Sequence, residues 1–298
     1  MDKSKVALFF YTLKYLKFKQ IYYRIYYAFK NHLLNIKIDN KVEHISRKID
    51  LNLGTSTTNS YRGRKFIFLN LEHRFEEIDW NYSGFGKLWT YNLNYFDFLN
   101  QENISKEEGL SLIHNYIKRE SNLKDGLEPY PISLRLINWI KFISKHQIQD
   151  EKIDAMLSKH LSLLNKNLEF HLLGNHLLEN TFSLLFGAYY FGDETIYKKS
   201  KKLLELELNE QILDDGAHFE LSPMYHQLLL ARLLDCINLV DNNRWKEDEL
   251  LDMMKEKARR MLGWLNEMTY QNGQIPLVSD SSYGISVSSK EILIMQVI

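Results

Sequence analysis

The residues of this 298-residue chain best suited to chemistry fall in two short polar segments. The first is Glu169-Phe170-His171-Leu172-Leu173-Gly174-Asn175-His176-Leu177-Leu178-Glu179-Asn180, and the second runs from Asp214-Asp215-Gly216 through His218, Glu220 and Ser222-Pro223 to Tyr225-His226. Gly174 fits the left-handed position that ends one helix, and Asn175 fits the N-cap of the next. Ser222 followed by Pro223 is also a helix start. Both segments therefore put amide, imidazole or phenol groups on a first helical turn. Unpaired N–H groups and the positive dipole end favour an anion there. Asn175 and Glu179, four apart, share a face and can hold each other in place.

These residue types suit β-elimination from a uronic acid. The C5 proton becomes acidic once the adjacent carboxylate is neutralised, which an Asn amide and a hydrogen-bonding His can do. A neutral His or a tyrosinate then removes the proton, and a tyrosine hydroxyl protonates the leaving oxygen. A tyrosine base would need cationic neighbours to bring its pKa down from about 10, and His226 and Arg135 are candidates. A glycosidase drawing two carboxylates from Glu179, Asp215, Glu220 and Asp280 stays open. A metal could in principle use His176, His218, His226 and Asp280, but no short ligand spacing supports one. No Gly-rich phosphate loop is present, so neither metal nor cofactor is expected.

A third segment, Trp89-Thr90-Tyr91-Asn92-Leu93-Asn94-Tyr95-Phe96-Asp97, mixes rings with amides. Trp89, Tyr91, Asn92 and Tyr95 could form a sugar-binding wall, since sugar C–H faces pack on aromatics and hydroxyls need polar partners. A buried aromatic corner is the equal alternative. Arg135, in an otherwise apolar helix, calls for an acidic partner or an anionic ligand.

Helices must position all of this. Apolar residues recur at helical spacing over 105–121, 131–147, 151–173, 176–191, 194–211, 222–241 and 246–270. The links between them are short, which implies antiparallel helical hairpins and a mainly all-α fold. Near 40–80 the texture changes: 51–60 is a loop by composition, and Lys65–Asn70 reads as a short strand in a small hairpin. The end of the chain, to Ile298, could begin another strand. Residues 1–80 are thus expected to hold N-terminal helices and a linker, and 81–298 the main domain.

Composition narrows the partners. Lys plus Arg equal Asp plus Glu at 38 each, so no general field for nucleic acid is evident. Cys236 is the single cysteine, which excludes an internal disulfide and a thiolate metal cluster. Residues 3–34 mix many rings with Lys and Arg. Such a helix can lie on a membrane surface, although packing on the main body with its lysines in water is the preferred reading. No apolar run is long enough to span a bilayer and no signal peptide is evident, so the expected location is cytoplasmic or peripheral to the inner membrane.

In their order along the chain, the segments Trp89–Asp97, Ser133-Leu134-Arg135-Leu136-Ile137-Asn138-Trp139, Gly174–Asn180 and Asp214–His226 resemble heparinase II/III-type polysaccharide lyases, which include alginate lyase relatives. The resemblance covers roughly residues 85–285. It implies an incomplete α/α toroid, a polysaccharide or oligosaccharide substrate and a role in surface polysaccharide metabolism. By the same resemblance Asn175 neutralises the uronate carboxylate with help from His176, and Tyr225 is the Brønsted acid and a candidate base. Family members continue into a β-sandwich that supplies a further histidine, and this sequence stops where it would begin. The alternative implied is a non-catalytic glycan-binding or assembly module derived from a truncated lyase.

Overall fold

A computed structural model of the chain describes residues 16–33, 46–52 and 59–297. Expectations for 3–15, 34–45 and 53–58 lie outside those residues. The described elements are α1 (Phe18–Leu33), β1 (Tyr61–Arg62), β2 (Lys65–Phe68), β3 (Leu71–Arg74), α2 (Lys87–Tyr95), α3 (Lys106–Arg119), α4 (Pro129–Lys145), α5 (Glu151–Lys166), α6 (Gly174–Phe191), α7 (Glu194–Gln211), α8 (Pro223–Asn243), α9 (Leu250–Met268) and α10 (Ser289–Val297).

The helices pair as antiparallel hairpins α4/α5, α6/α7 and α8/α9. Helices α4, α6, α8 and α10 lie side by side in one layer, and α5, α7 and α9 back them in a second. The result is the incomplete α/α toroid. Helix α6 is its hub, buried continuously from Leu177 to Phe191 and packed on α4, α5, α7 and α8. A helix apolar on all sides needs such a position. Gly187 lets α5 come close, because a Cβ there would meet the Leu161 side chain at 2.5 Å.

The strands form one antiparallel meander, β1-β2-β3. Two-residue turns join them, with Gly63 and Arg64, then Leu69 and Asn70, all at positive φ as such hairpins require. Phe66 and Phe68 point into the same apolar core as the helices.

Four boundaries differ from the periodicity. Helix α5 stops at Lys166, and residues 167–173 form a turn-rich loop despite their leucines. Gly174 is therefore the first residue of α6 and does not close α5, and its N-cap is Leu173, not Asn175. The ring-rich segment after Gly86 is helix α2. The chain's last described stretch is helix α10 and not a strand.

Candidate active site

The loop between α5 and α6 carries the first half of the site. The backbone of Leu173 sits at φ 62°, ψ −154°, a conformation costing about 1–3 kcal/mol for a residue with a side chain. Its side chain is buried, and the N–H groups of Leu172 and Leu173 both donate to the Glu169 carbonyl at 2.9 Å. This tight reversal brings buried Glu169 back over the first turn of α6. Glu169 Oε1 lies 3.1 Å from His176 Nδ1, and Oε2 accepts from Asn180 Nδ2 at 2.9 Å. Asn180 Oδ1 in turn accepts from the Glu169 N–H at 2.8 Å, and its Nδ2 reaches Ser133 Oγ on α4 at 3.1 Å. A relay of four residues on three elements thus fixes the His176 ring. With Nδ1 donating to the carboxylate, Nε2 is left with its lone pair. The His176 side chain is 39% exposed, and the ring of Tyr130 lies 4.6 Å from it.

The second half comes from the chain entering α8. Ser222 caps that helix by accepting from the Tyr225 N–H, and it binds the loop at 280–281 through the Asp280 carbonyl and Ser281 hydroxyl. The Tyr225 hydroxyl donates to Asp280 Oδ2 at 3.2 Å. Partial burial, Asp280 and then Glu220 raise the Tyr225 pKa above its ordinary value, so the phenol stays protonated.

Glu220 joins the halves. Its carboxylate accepts from the Asn175 N–H and interacts with His176, Tyr225 and Asp280, while partial desolvation pushes its own pKa up. A Cβ on Gly174 would sit 3.0 Å from Glu220 Oε1, so glycine makes room for this approach. Glu220 thus links the start of α6, which carries Asn175 and His176, to Tyr225 at the start of α8. The α6 N-terminus, however, is not a free anion site, because Glu220 already occupies it. Three non-glycine residues at positive φ (Leu173, Leu221 and Ser279) directly precede or flank these cleft segments. Strain gathered this way is typical of functional loops.

Several expected contacts fall elsewhere. His226 is fully buried: Nδ1 accepts from the His218 N–H, Nε2 donates to the Met261 carbonyl, and the ring lies 4.5 Å from Trp264. Burial lowers its pKa to about 4, so it is a neutral internal support and not a cation beside Tyr225. Arg135 is also fully buried; it donates to the carbonyls of Asn94 (2.8 Å) and Gly126 (3.0 Å) and lies over the face of Tyr116, while its Nε has no hydrogen-bond partner. Full burial keeps it from a substrate in the cleft. Trp89 is a core residue whose Nε1 donates to the Leu71 carbonyl, so it offers no stacking face. Tyr95 is buried, and Asn92 donates to the Leu88 carbonyl within its own helix. Tyr91 remains half-exposed; its hydroxyl donates to Glu128 Oε1 at 2.6 Å, and Lys87 sits over its ring. Glu179 does not pair with Asn175. It is buried beside Arg232, which also bonds Asp235, and Asp235 accepts from Lys141 at 2.8 Å.

Two partners went unassigned by the sequence. Glu169 stands seven residues before His176, about 10 Å away along a continuous helix and so out of side-chain reach, and Tyr130 lies between two prolines at a helix start. The one available signal for Glu169 was an acid flanked by apolar Leu168 and Phe170. A 330 Å³ cavity lined by Ser46, Arg47 and Tyr190 lies at the opposite end of α6 and includes none of these groups.

Residues 131–294 match the family model described as heparinase II/III N-terminus, which is more than half of the chain. The chain belongs to that family. Among solved structures, a heparinase III gene product shares 18% identity over 74% of this chain and 40% of its own, at a TM-score of 0.52. The heparan sulfate lyase HepC from Pedobacter heparinus shares 15% identity over 73% of this chain and 38% of its own, at a TM-score of 0.48. This heparinase II/III family chain thus spans about two fifths of the length of these solved structures. No curated protein matches it.

Proposed function

We propose that the cleft cleaves a uronate-containing glycan by β-elimination. Asn175 neutralises the substrate carboxylate, His176 Nε2 removes the C5 proton, and Tyr225 protonates the leaving oxygen. The C5–H electrons form the new double bond as the C4–O bond breaks, so atoms and charge balance without a cofactor. The observation that carries this reading is the contrast between the two rings. Glu169 orients His176 to accept a proton, while partial burial, Asp280 and then Glu220 hold Tyr225 in its protonated form. Tyr225 is accordingly the acid and His176 the base. Family membership supports the polysaccharide lyase relation.

A second reading has its own support. Glu220 and Asp280 face one phenol, and paired carboxylates are what hydrolysis of a glycosidic bond uses.

The test is incubation of the purified protein with a panel of uronate polysaccharides, followed by the ultraviolet absorbance of unsaturated uronate. Absorbance should rise, and Tyr225→Phe should cut the rate by about 10²–10⁴-fold with glycan affinity unchanged. Full activity in that variant overturns the assignment. New reducing ends without absorbance mark a hydrolase, and binding without product marks a non-catalytic glycan module.

A further inference from the structure

Helix α1 is clamped through the side that carries Gln20, Tyr23 and Tyr27. Tyr23 stacks on Phe170 with centroids 4.5 Å apart, the Tyr27 hydroxyl donates to the Leu168 carbonyl at 2.5 Å, and Gln20 Nε2 donates to the Leu172 carbonyl at 3.0 Å. These contacts seat the helix on the loop that carries Glu169. Its other side is apolar and open: Phe18 is 83% exposed, Tyr22 54%, Ile25 54%, Tyr26 45% and Phe29 63%. At about 3.6 residues per turn these five fall within an arc of roughly 100°. Lys19 borders the arc on one side, and Lys17 and Arg24 lie beyond its other edge. Residues 17–29 contain no Asp or Glu. Lys17 and Lys19 pair with Glu210 and Glu207, yet their side chains stay 56% and 44% exposed.

We propose that α1 is an interfacial helix that lays the protein on an anionic lipid surface beside the candidate cleft. The attraction is local. The whole chain balances at 38 cations and 38 anions, whereas this helix carries cations alone. Phe18, Ile25 and Phe29 have no polar atom to offer a glycan hydroxyl, but they can enter the acyl boundary while Tyr22 and Tyr26 keep their hydroxyls at headgroup level. No helix among the described residues is long and apolar enough to cross a membrane, so the contact is in the plane of the surface. Arg24 reaches the headgroups from one flank of the arc, while Lys17 and Lys19 tie the helix to Glu210 and Glu207 of α7. The surface stands whether or not the cleft turns over a glycan.

Co-sedimentation of the full chain with vesicles tests this, using phosphatidylcholine alone and an equimolar mixture with phosphatidylglycerol. The chain should pellet with the anionic vesicles, weakly with the zwitterionic ones, and less as salt rises. The combined variant Phe18→Ser, Ile25→Ser, Phe29→Ser should lower partitioning by more than about tenfold, and Arg24→Glu should weaken it further. All four positions are exposed, so circular dichroism should match the parent. Failure to bind anionic vesicles overturns the proposal, as does unchanged binding by the triple variant. A dimer in light scattering that the triple variant dissociates, without vesicle binding, would overturn it too and assign the face to a second copy.

Discussion

At the scale of single residues, a carboxylate on Nδ1 of a histidine decides which nitrogen keeps a lone pair. Glu169→Gln puts an amide there, which can present its N–H₂ to Nδ1 and favour the opposite tautomer. With an active cleft, kcat should fall by about 10²-fold while KM stays near its parent value, and the pH profile should shift. A glycan assay across pH checks this; equal losses in kcat and thermal stability would mark Glu169 as structural only. Asn175, His176 and Tyr225 draw attention in the sequence because polar groups on a first helical turn stand out against an apolar run. Their partners were not readable. Glu169 and Glu220 arrive through reversals at Leu173 and Leu221, and nothing in a leucine announces positive φ. Arg135, His226 and Trp89 misled for the complementary reason. A polar group buried to hold a loop carbonyl looks, in sequence, the same as one poised for substrate.

At the scale of elements, periodicity located the long helices well, since an apolar face recurring every three or four residues over several turns fits little else than a helix. It overran at 167–173, where Leu168, Leu172 and Leu173 continue the spacing but the backbone turns. It also could not tell the short helix α10 from a strand. Packing between elements leaves a sharper test at Gly216, where φ is +91° and a Cβ would fall 2.2 Å from the Arg260 carbonyl oxygen of α9. Neither a rotamer change nor a side-chain shift relieves a backbone clash. Gly216→Ala should therefore cost about 2–4 kcal/mol in urea unfolding, more than the roughly 1 kcal/mol of a typical substitution. Gly263→Ala, on α9 itself with nothing within 4 Å of the added Cβ, serves as control and should leave stability unchanged or raise it.

At the scale of the whole molecule, His218 and His226, together with fully buried His160, couple folding to pH. Burial lowers His226 to about 4 and His218 to about 3, from 6.5 in the open chain. The unfolded chain thus takes up protons that the fold refuses. Stability is fully present above about pH 6.5 and is lost progressively as the pH falls towards those values, by about 2 kcal/mol per histidine at about pH 5. His226→Gln keeps a donor and an acceptor without the charge, so urea midpoints should fall less steeply with acidification than in the parent. An identical slope would show that His226 is already charged in the fold. The unbroken burial of α6 has a consequence of a different kind. Amides from Leu177 to Phe191 reach solvent only when the core around them opens, so their hydrogen exchange should report the global unfolding free energy. Those of α1, held by the 168–172 loop and by ion pairs to α7, should exchange by local detachment. Slow and fast amides then lie on two helices that meet at the loop carrying Glu169, and exchange measured on both would separate loosening of that loop from loss of the fold.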